Sequence, residues 1–370
     1  MPSTLAFLRY YLRPRPGAVL DESSTCPRGD QQLPATIFRP ASARRPLPAW
    51  VVLHGLTYHG KEHPSLLKFA RAVAASGAIV CVPDIPEWKA LRVAPGVTGP
   101  SIAAGAAALR ARPDVDPERI GVLGFSFGAT QALTALARDP QLAAQIRGIV
   151  AWGGYAEVKR LFRFGITGNH DLDGVVYHED PDPYGRWVMG GNYVTGMPGF
   201  EDAEPLAKAL HQLAIAAGKA GIYAADKEMD PFKLEARARL PEHLRGLFDL
   251  FAPLTTQSHP DPARAAALSQ ELGNAAVRAD PLLDPTPDLP ALHTLTAIAH
   301  GRDDRLVPFT ESIRLSRALP PATLRSVMIT SLFSHSGGTT PNLGPVGLMR
   351  EVVRFVRVLH GILDLLSKAH

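Results

Sequence analysis

Short apolar runs alternate with stretches of helical spacing from the start of the chain to about residue 152. Residues 33–38 read as a strand ended by Arg39-Pro40, and 49–53 as another that runs into His54-Gly55. Between 64 and 76, Leu66, Leu67, Phe69, Ala70 and Val73 recur at helical spacing, and Gly77 stops the pattern. The same reading predicts strands over 78–82, 119–125 and 147–152, and helices over 102–112 and 127–138. Strands and helices in alternation predict a mostly parallel sheet covered on both faces. The unbroken apolar run over 120–125 suits the buried centre of such a sheet.

After Trp152 the pattern changes. Residues 153–290 have no clear strand rhythm. They open on a stretch rich in Gly, Asp, Pro and aromatics over 165–200 and continue with helical spacing near 204–219, 227–251 and 262–277. Asp284-Pro285-Thr286-Pro287-Asp288-Leu289-Pro290 then reads as a stiff linker. A strand over 293–299, a helix over 309–318, a strand over 323–330 and a long helix over 344–366 complete the chain. The expected organisation is therefore an α/β core from 1–152 and 290–370, split by a mainly helical insertion over 153–289.

Composition agrees with a folded protein of this kind. The chain has 370 residues, 46% of them hydrophobic, enough for one large domain with an insertion or for two domains. A net charge of +4, with no Lys/Arg run interleaved with aromatics, argues against a nucleic-acid partner. Cys81 lies in an apolar run and reads as buried, and Cys26 precedes a proline in a turn-like stretch. Two cysteines make no disulfide framework, so a reducing, cytoplasmic setting is expected. No apolar stretch is long enough to span a bilayer. Residues 5–12 are apolar but broken by Arg9, without a basic start or a small-residue cleavage site. They read as a short helix packed on the body, with membrane-surface contact as the alternative.

The chemistry centres on Gly124-Phe125-Ser126-Phe127-Gly128, where a buried strand ends and a helix begins. Glycines there permit a sharp turn and close strand–helix packing, which pushes the Ser126 hydroxyl above the carboxyl ends of the strands. The competing reading is a plain turn with Ser126 capping the helix. A serine nucleophile needs a base. His335, after the last strand and followed by small residues, is the candidate. An acid must orient that imidazole. Gly301-Arg302-Asp303-Asp304-Arg305-Leu306-Val307-Pro308 offers two, of which Asp304 is preferred, while Asp303 holds the loop or pairs with Arg302 or Arg305. The amides of Phe127 and Leu56 are the expected oxyanion donors, with Gly55 permitting close approach and Tyr58 and His59 near the entrance.

Three features together resemble the α/β-hydrolase superfamily: His54-Gly55 after a strand, Gly124-x-Ser126-x-Gly128 at an elbow, and the order Ser126, Asp304, His335. The acid loop is similar to that of dienelactone-hydrolase-like esterases. The resemblance covers about 18–152 and 290–366. It implies a mostly parallel eight-stranded sheet flanked by helices, with a lid at the insertion, and acyl-transfer hydrolysis of a small-molecule substrate without cofactor or metal. It identifies neither the substrate nor the oligomeric state. His54, His59 and His63 are close enough to raise a metal reading, but they lie in a loop, and His54 already fits the oxyanion-loop motif. Asp171, Asp173, Glu179, Asp180 and Asp182 read as a solvated loop, and Tyr155, Phe162, Phe164, Tyr177, Tyr184, Trp187 and Tyr193 read mainly as the core of the lid.

Overall fold

A computed structural model describes residues 2–42, 45–256, 261–332 and 344–367. Six strands precede the insertion: β1 (Val19–Arg28), β2 (Gln31–Pro40), β3 (Leu47–Leu53), β4 (Ile79–Pro83), β5 (Val115–Phe125) and β6 (Gly148–Trp152). Within it, β7 (Asn169–Leu172) and β8 (Val175–His178) form a separate antiparallel hairpin. β9 (Leu295–Gly301) and β10 (Leu324–Thr330) follow it. The large sheet has eight strands in the order β1-β2-β4-β3-β5-β6-β9-β10. β2 is antiparallel to both its neighbours, and the remaining pairs are parallel.

Helices close both faces, and alternation along each strand decides which side chain meets which. Trp50 and Val52 of β3 join one apolar cluster with Phe7 of α1 (Thr4–Leu12), Phe69 of α2 (Pro64–Ala75) and the buried end of the last helix, Leu359 to Leu363. Val51 and Leu53 point the other way. They pack with Ile102 and Leu109, after the short α3 (Pro86–Lys89), in α4 (Thr98–Arg110), and with Leu133 of α5 (Phe127–Arg138). A one-turn α6 (Pro140–Ala143) leads to β6.

The insertion holds α7 (Val158–Thr167), α8 (Pro183–Tyr193), α9 (Glu204–Ala220), α10 (Asp230–Arg239), α11 (Glu242–Phe251) and α12 (Pro262–Ala279). Its buried Trp187, Leu210, Leu244 and Phe251 belong to the same apolar cluster as Val51 and Leu53, so the insertion shares its core with one face of the sheet. Glu311 anchors it from below. That carboxylate is 1% exposed in α13 (Phe309–Ala318) and accepts from the Ala156 and Glu157 amides, both at 3.0 Å, and from Arg160 Nε at 2.7 Å. α14 (Pro345–Asp364) ends the described fold. No helix among the described residues is long and apolar enough to cross a membrane.

Several local expectations need correction. Cys26 is buried in β1, not in a turn, with its Sγ 3.6 Å from that of Cys81. β1 carries no apolar alternation in the sequence because it is an edge strand in which half of the side chains are exposed. The helix expected over 227–251 is broken at Leu240-Pro241. The hairpin β7–β8 went unread although Asp173-Gly174 turns with positive φ at both residues, a strong hairpin signal. Its acids are not simply solvated: Asp171 pairs with Arg314, Asp173 with Arg317, and Asp182 caps α8 through the Tyr184 amide.

Candidate active site

Ser126 sits between β5 and α5 with φ 54° and ψ −123°, a conformation that costs an L-residue about 1–3 kcal/mol. Its amide is held by the Trp152 carbonyl at 2.8 Å, and its carbonyl accepts from Ala129 at 2.9 Å. The flanking glycines allow the turn for a packing reason. A Cβ on Gly124 would lie 2.3 Å from the Gly128 carbonyl oxygen, and one on Gly128 would lie 2.7 Å from that of His54. Strand, helix and the loop after β3 thus close on one another where only glycine fits. At the top of this turn the side chain is half-buried.

The loop after β3 lies directly against the serine. A Cβ built on Gly55 would be 3.1 Å from Ser126 Cβ and 3.6 Å from its Oγ. The amide geometry here is set by His54, which is 1% exposed. His54 Nε2 accepts from the Ile85 amide at 3.0 Å, so the proton of the neutral ring is on Nδ1, which donates to the Gly55 carbonyl at 2.7 Å. Burial holds the His54 pKa below the ordinary histidine range, outweighing the bond to Gly55 and the charge of Asp84. Asp84 Oδ1 at 3.9 Å is therefore a neighbour of a neutral ring and not an ion-pair partner. In a trans peptide the N–H points opposite to the C=O. Pinning the Gly55 oxygen thus fixes the direction of the Leu56 N–H. Among the described residues that N–H meets no acceptor. The Phe127 N–H, at the first position of α5, has no intrahelical acceptor by geometry.

Asp304 follows β9, at the same end of the parallel sheet as Ser126, and is 1% exposed. Its Oδ1 accepts from the amides of Leu306 and Val307, at 2.9 and 3.0 Å. Its Oδ2 is 3.3 Å from Nε2 of the fully buried His300, which also bonds the Val307 carbonyl. These bonds lock the loop after β9. Asp303 is exposed instead. Neither neighbouring arginine plays the part expected of it: Arg305 Nε donates to the Asp180 carbonyl at 2.6 Å, and Arg302 lies over the Phe309 ring. His335 lies outside the described residues, so the structure brings together Ser126, Gly55, Leu56 and Phe127, with Asp304 held beyond β9.

Contributors that sequence reasoning passed over come from the insertion. Tyr184, read there as lid core, donates from its hydroxyl to the Leu56 carbonyl at 3.1 Å. Glu179 is half-buried on the insertion near Asp303 and Asp304. Burial first, then the charges of Asp303 and Asp304, raise its pKa to about 7 against the counter-effect of Arg305 and Arg302. Tyr58 packs on α9 at Gly218. Among the described residues, no group of three or more His, Cys, Asp or Glu side chains is placed to hold a metal.

No protein-family model matches the chain, and no curated protein matches it significantly. Solved structures do. The 2,6-dihydroxy-pseudo-oxynicotine hydrolase is 16% identical, with a TM-score of 0.49 over 97% of this chain and 72% of its own. The uncomplexed acylaminoacyl peptidase of Pyrococcus horikoshii is 12% identical, with a TM-score of 0.52 over 98% of this chain and 44% of the peptidase. An acylaminoacyl peptidase in complex with Z-Gly-Gly-Phe-chloromethyl ketone is 12% identical, with a TM-score of 0.51 over 95% of this chain and 43% of its own. The chain thus spans less than half the length of these two peptidases. What it shares with them at such identities is the fold.

Proposed function

We propose that this chain, which has the α/β-hydrolase fold, is a serine hydrolase that cleaves a carboxylic ester or related acyl bond. The observation that carries the reading is Ser126, held at positive φ above the sheet with Gly55 against it and the Leu56 N–H directed by His54. A strained, half-buried serine beside an unsatisfied amide is an arrangement that attack on a carbonyl uses and a plain helix cap does not.

In the proposed reaction His335 takes the Ser126 proton as Oγ attacks the acyl carbon. The Leu56 and Phe127 amides hold the oxyanion. His335 then protonates the leaving group, and a water that it activates cleaves the acyl-enzyme. Asp304 orients His335 and stabilises its charged form. The insertion acts as a lid over 153–289, and its apolar core favours a substrate with a bulky or hydrophobic acyl or alcohol part.

The test is a panel of acyl esters, thioesters and amides, run with parent and Ser126→Ala protein together with a fluorophosphonate probe. The expected result is stoichiometric labelling at Ser126 and a loss of turnover of at least about a thousandfold in Ser126→Ala. A folded parent that neither labels nor turns over any member of the panel would identify a binding protein on the hydrolase fold instead. Asp304→Asn is expected to lower kcat far more than Asp303→Asn, which checks the choice of acid.

A further inference from the structure

The first turn of α8 touches two loops that lie on different strands. On one side, Tyr184 Oη donates to the Leu56 carbonyl at 3.1 Å. On the other, the Asp182 amide donates to the Arg305 carbonyl at 2.8 Å, and Arg305 Nε donates back to the Asp180 carbonyl at 2.6 Å. Gly185 completes the contact, since a Cβ there would be 3.4 Å from Leu306 Cδ2. The turn itself is stiff. Asp182 is its N-cap and accepts from the Tyr184 amide at 3.0 Å, and Pro183 occupies the first helical position.

We propose that α8 holds the oxyanion loop and the acid loop at a fixed separation, and that Tyr184 is a positioning residue for the Leu56 amide. This rests on the hydrolase reading above. His54 fixes the peptide that carries the Leu56 N–H, and Tyr184 fixes the peptide that follows it. Leu56 is thereby clamped from the core on one side and from the insertion on the other. The acid-loop contact reaches Asp304 by a short route, because that carboxylate accepts from the amides of Leu306 and Val307, next to Arg305. Burial raises the Tyr184 pKa well above the ordinary tyrosine value, so the hydroxyl remains a donor at any working pH. An oxyanion donor acts over a narrow range of distance, and a misplacement near 1 Å costs about a hundredfold in rate.

Tyr184→Phe keeps the ring and removes only the hydroxyl. In the presence of an ester that the parent turns over, the variant is expected to show a kcat about tenfold lower with KM within twofold, because the oxyanion develops only in the transition state. Affinity for a trifluoromethyl ketone, which occupies the oxyanion site as a tetrahedral adduct, should fall by the same factor. Tyr193→Phe, which removes another insertion phenol bonded to Asp280, should leave kcat within twofold. Arg305→Gln removes the side-chain half of the acid-side contact while the backbone bond from Asp182 remains, and is expected to lower kcat about threefold. Should Tyr184→Phe fail to fold, an Arg305→Gln kcat equal to that of a parent that labels at Ser126 would overturn the fixed separation of the two loops. A parent that labels at Ser126 together with a Tyr184→Phe kcat within twofold of it would overturn the positioning role alone. A parent that does not label would overturn the hydrolase reading and this role with it.

Discussion

Replacing His54 by Phe separates the support of the Leu56 amide, the proposed oxyanion donor, from the packing of the core. The ring stays and can still meet Trp88 edge-on, where the centroids are now 5.7 Å apart. Two hydrogen bonds are lost. The Ile85 amide, in a residue with no exposure, is left without its acceptor, which costs about 1–3 kcal/mol. For a chain of this length that lowers the melting temperature by about 1–4 °C. The Gly55 carbonyl loses its Nδ1–H donor, and the Leu56 N–H is no longer aimed. Complete loss of one oxyanion donor is worth about 10²–10³ in kcat. Because Tyr184 still holds the following peptide, the expected fall is toward the lower end, about a hundredfold. Ester turnover is measured at a temperature where parent and variant are both fully folded, with the phosphonylation rate of Ser126 measured alongside. A variant that melts lower but keeps kcat within threefold of the parent would refute the reasoning. The parent should also carry a pH signature that the variant lacks. The native His54 pKa lies below the ordinary histidine value of 6.5, so between the two the unfolded chain binds the proton and the native state does not. This contribution lowers parent stability as pH falls through that window, whereas above 6.5 it disappears.

Other substitutions test the neighbouring supports. Glu311→Gln turns an acceptor of two amides and an arginine into a partial donor, and should destabilise the protein by about 2–4 kcal/mol, read from urea unfolding. An unchanged midpoint would mean that the insertion is anchored elsewhere. The Glu179 pKa is raised to about 7 in the folded protein from the ordinary glutamate value of 4.5, so its ionisation opposes folding increasingly as pH rises through that interval. Glu179→Gln should match the parent near pH 4.5 and exceed it in melting temperature above pH 7. A difference that stays constant with pH would rule out this carboxylate as the source.

The candidate site was partly legible because its chemistry is local in sequence. Gly124, Ser126 and Gly128 lie on one strand–helix turn, and its close packing requires glycine at 124 and 128, where a Cβ would clash with backbone. Asp304 was preferred to Asp303 on spacing, and the structure supplies a physical contrast between them. One is buried and accepts two loop amides, while the other faces solvent. The parallel strands were readable because burial on both faces makes them continuously apolar, as in β3 and β6. β1 was not, since an exposed edge strand carries no such run.

By itself the sequence determined the periodicities, hence the alternating core, its sheet and the place where the insertion interrupts it. It also determined the glycine-flanked turn that lifts Ser126. Only the tertiary structure decided the tautomer of His54, which depends on Ile85 from a different strand end, and the hold on Leu56 by Tyr184, 128 positions away in the chain. The physical reason is that a repeating apolar pattern reports what a residue does along its own element. A single polar contact between distant segments leaves no repeat, so it becomes visible only when the chain has closed and each donor has found the acceptor facing it.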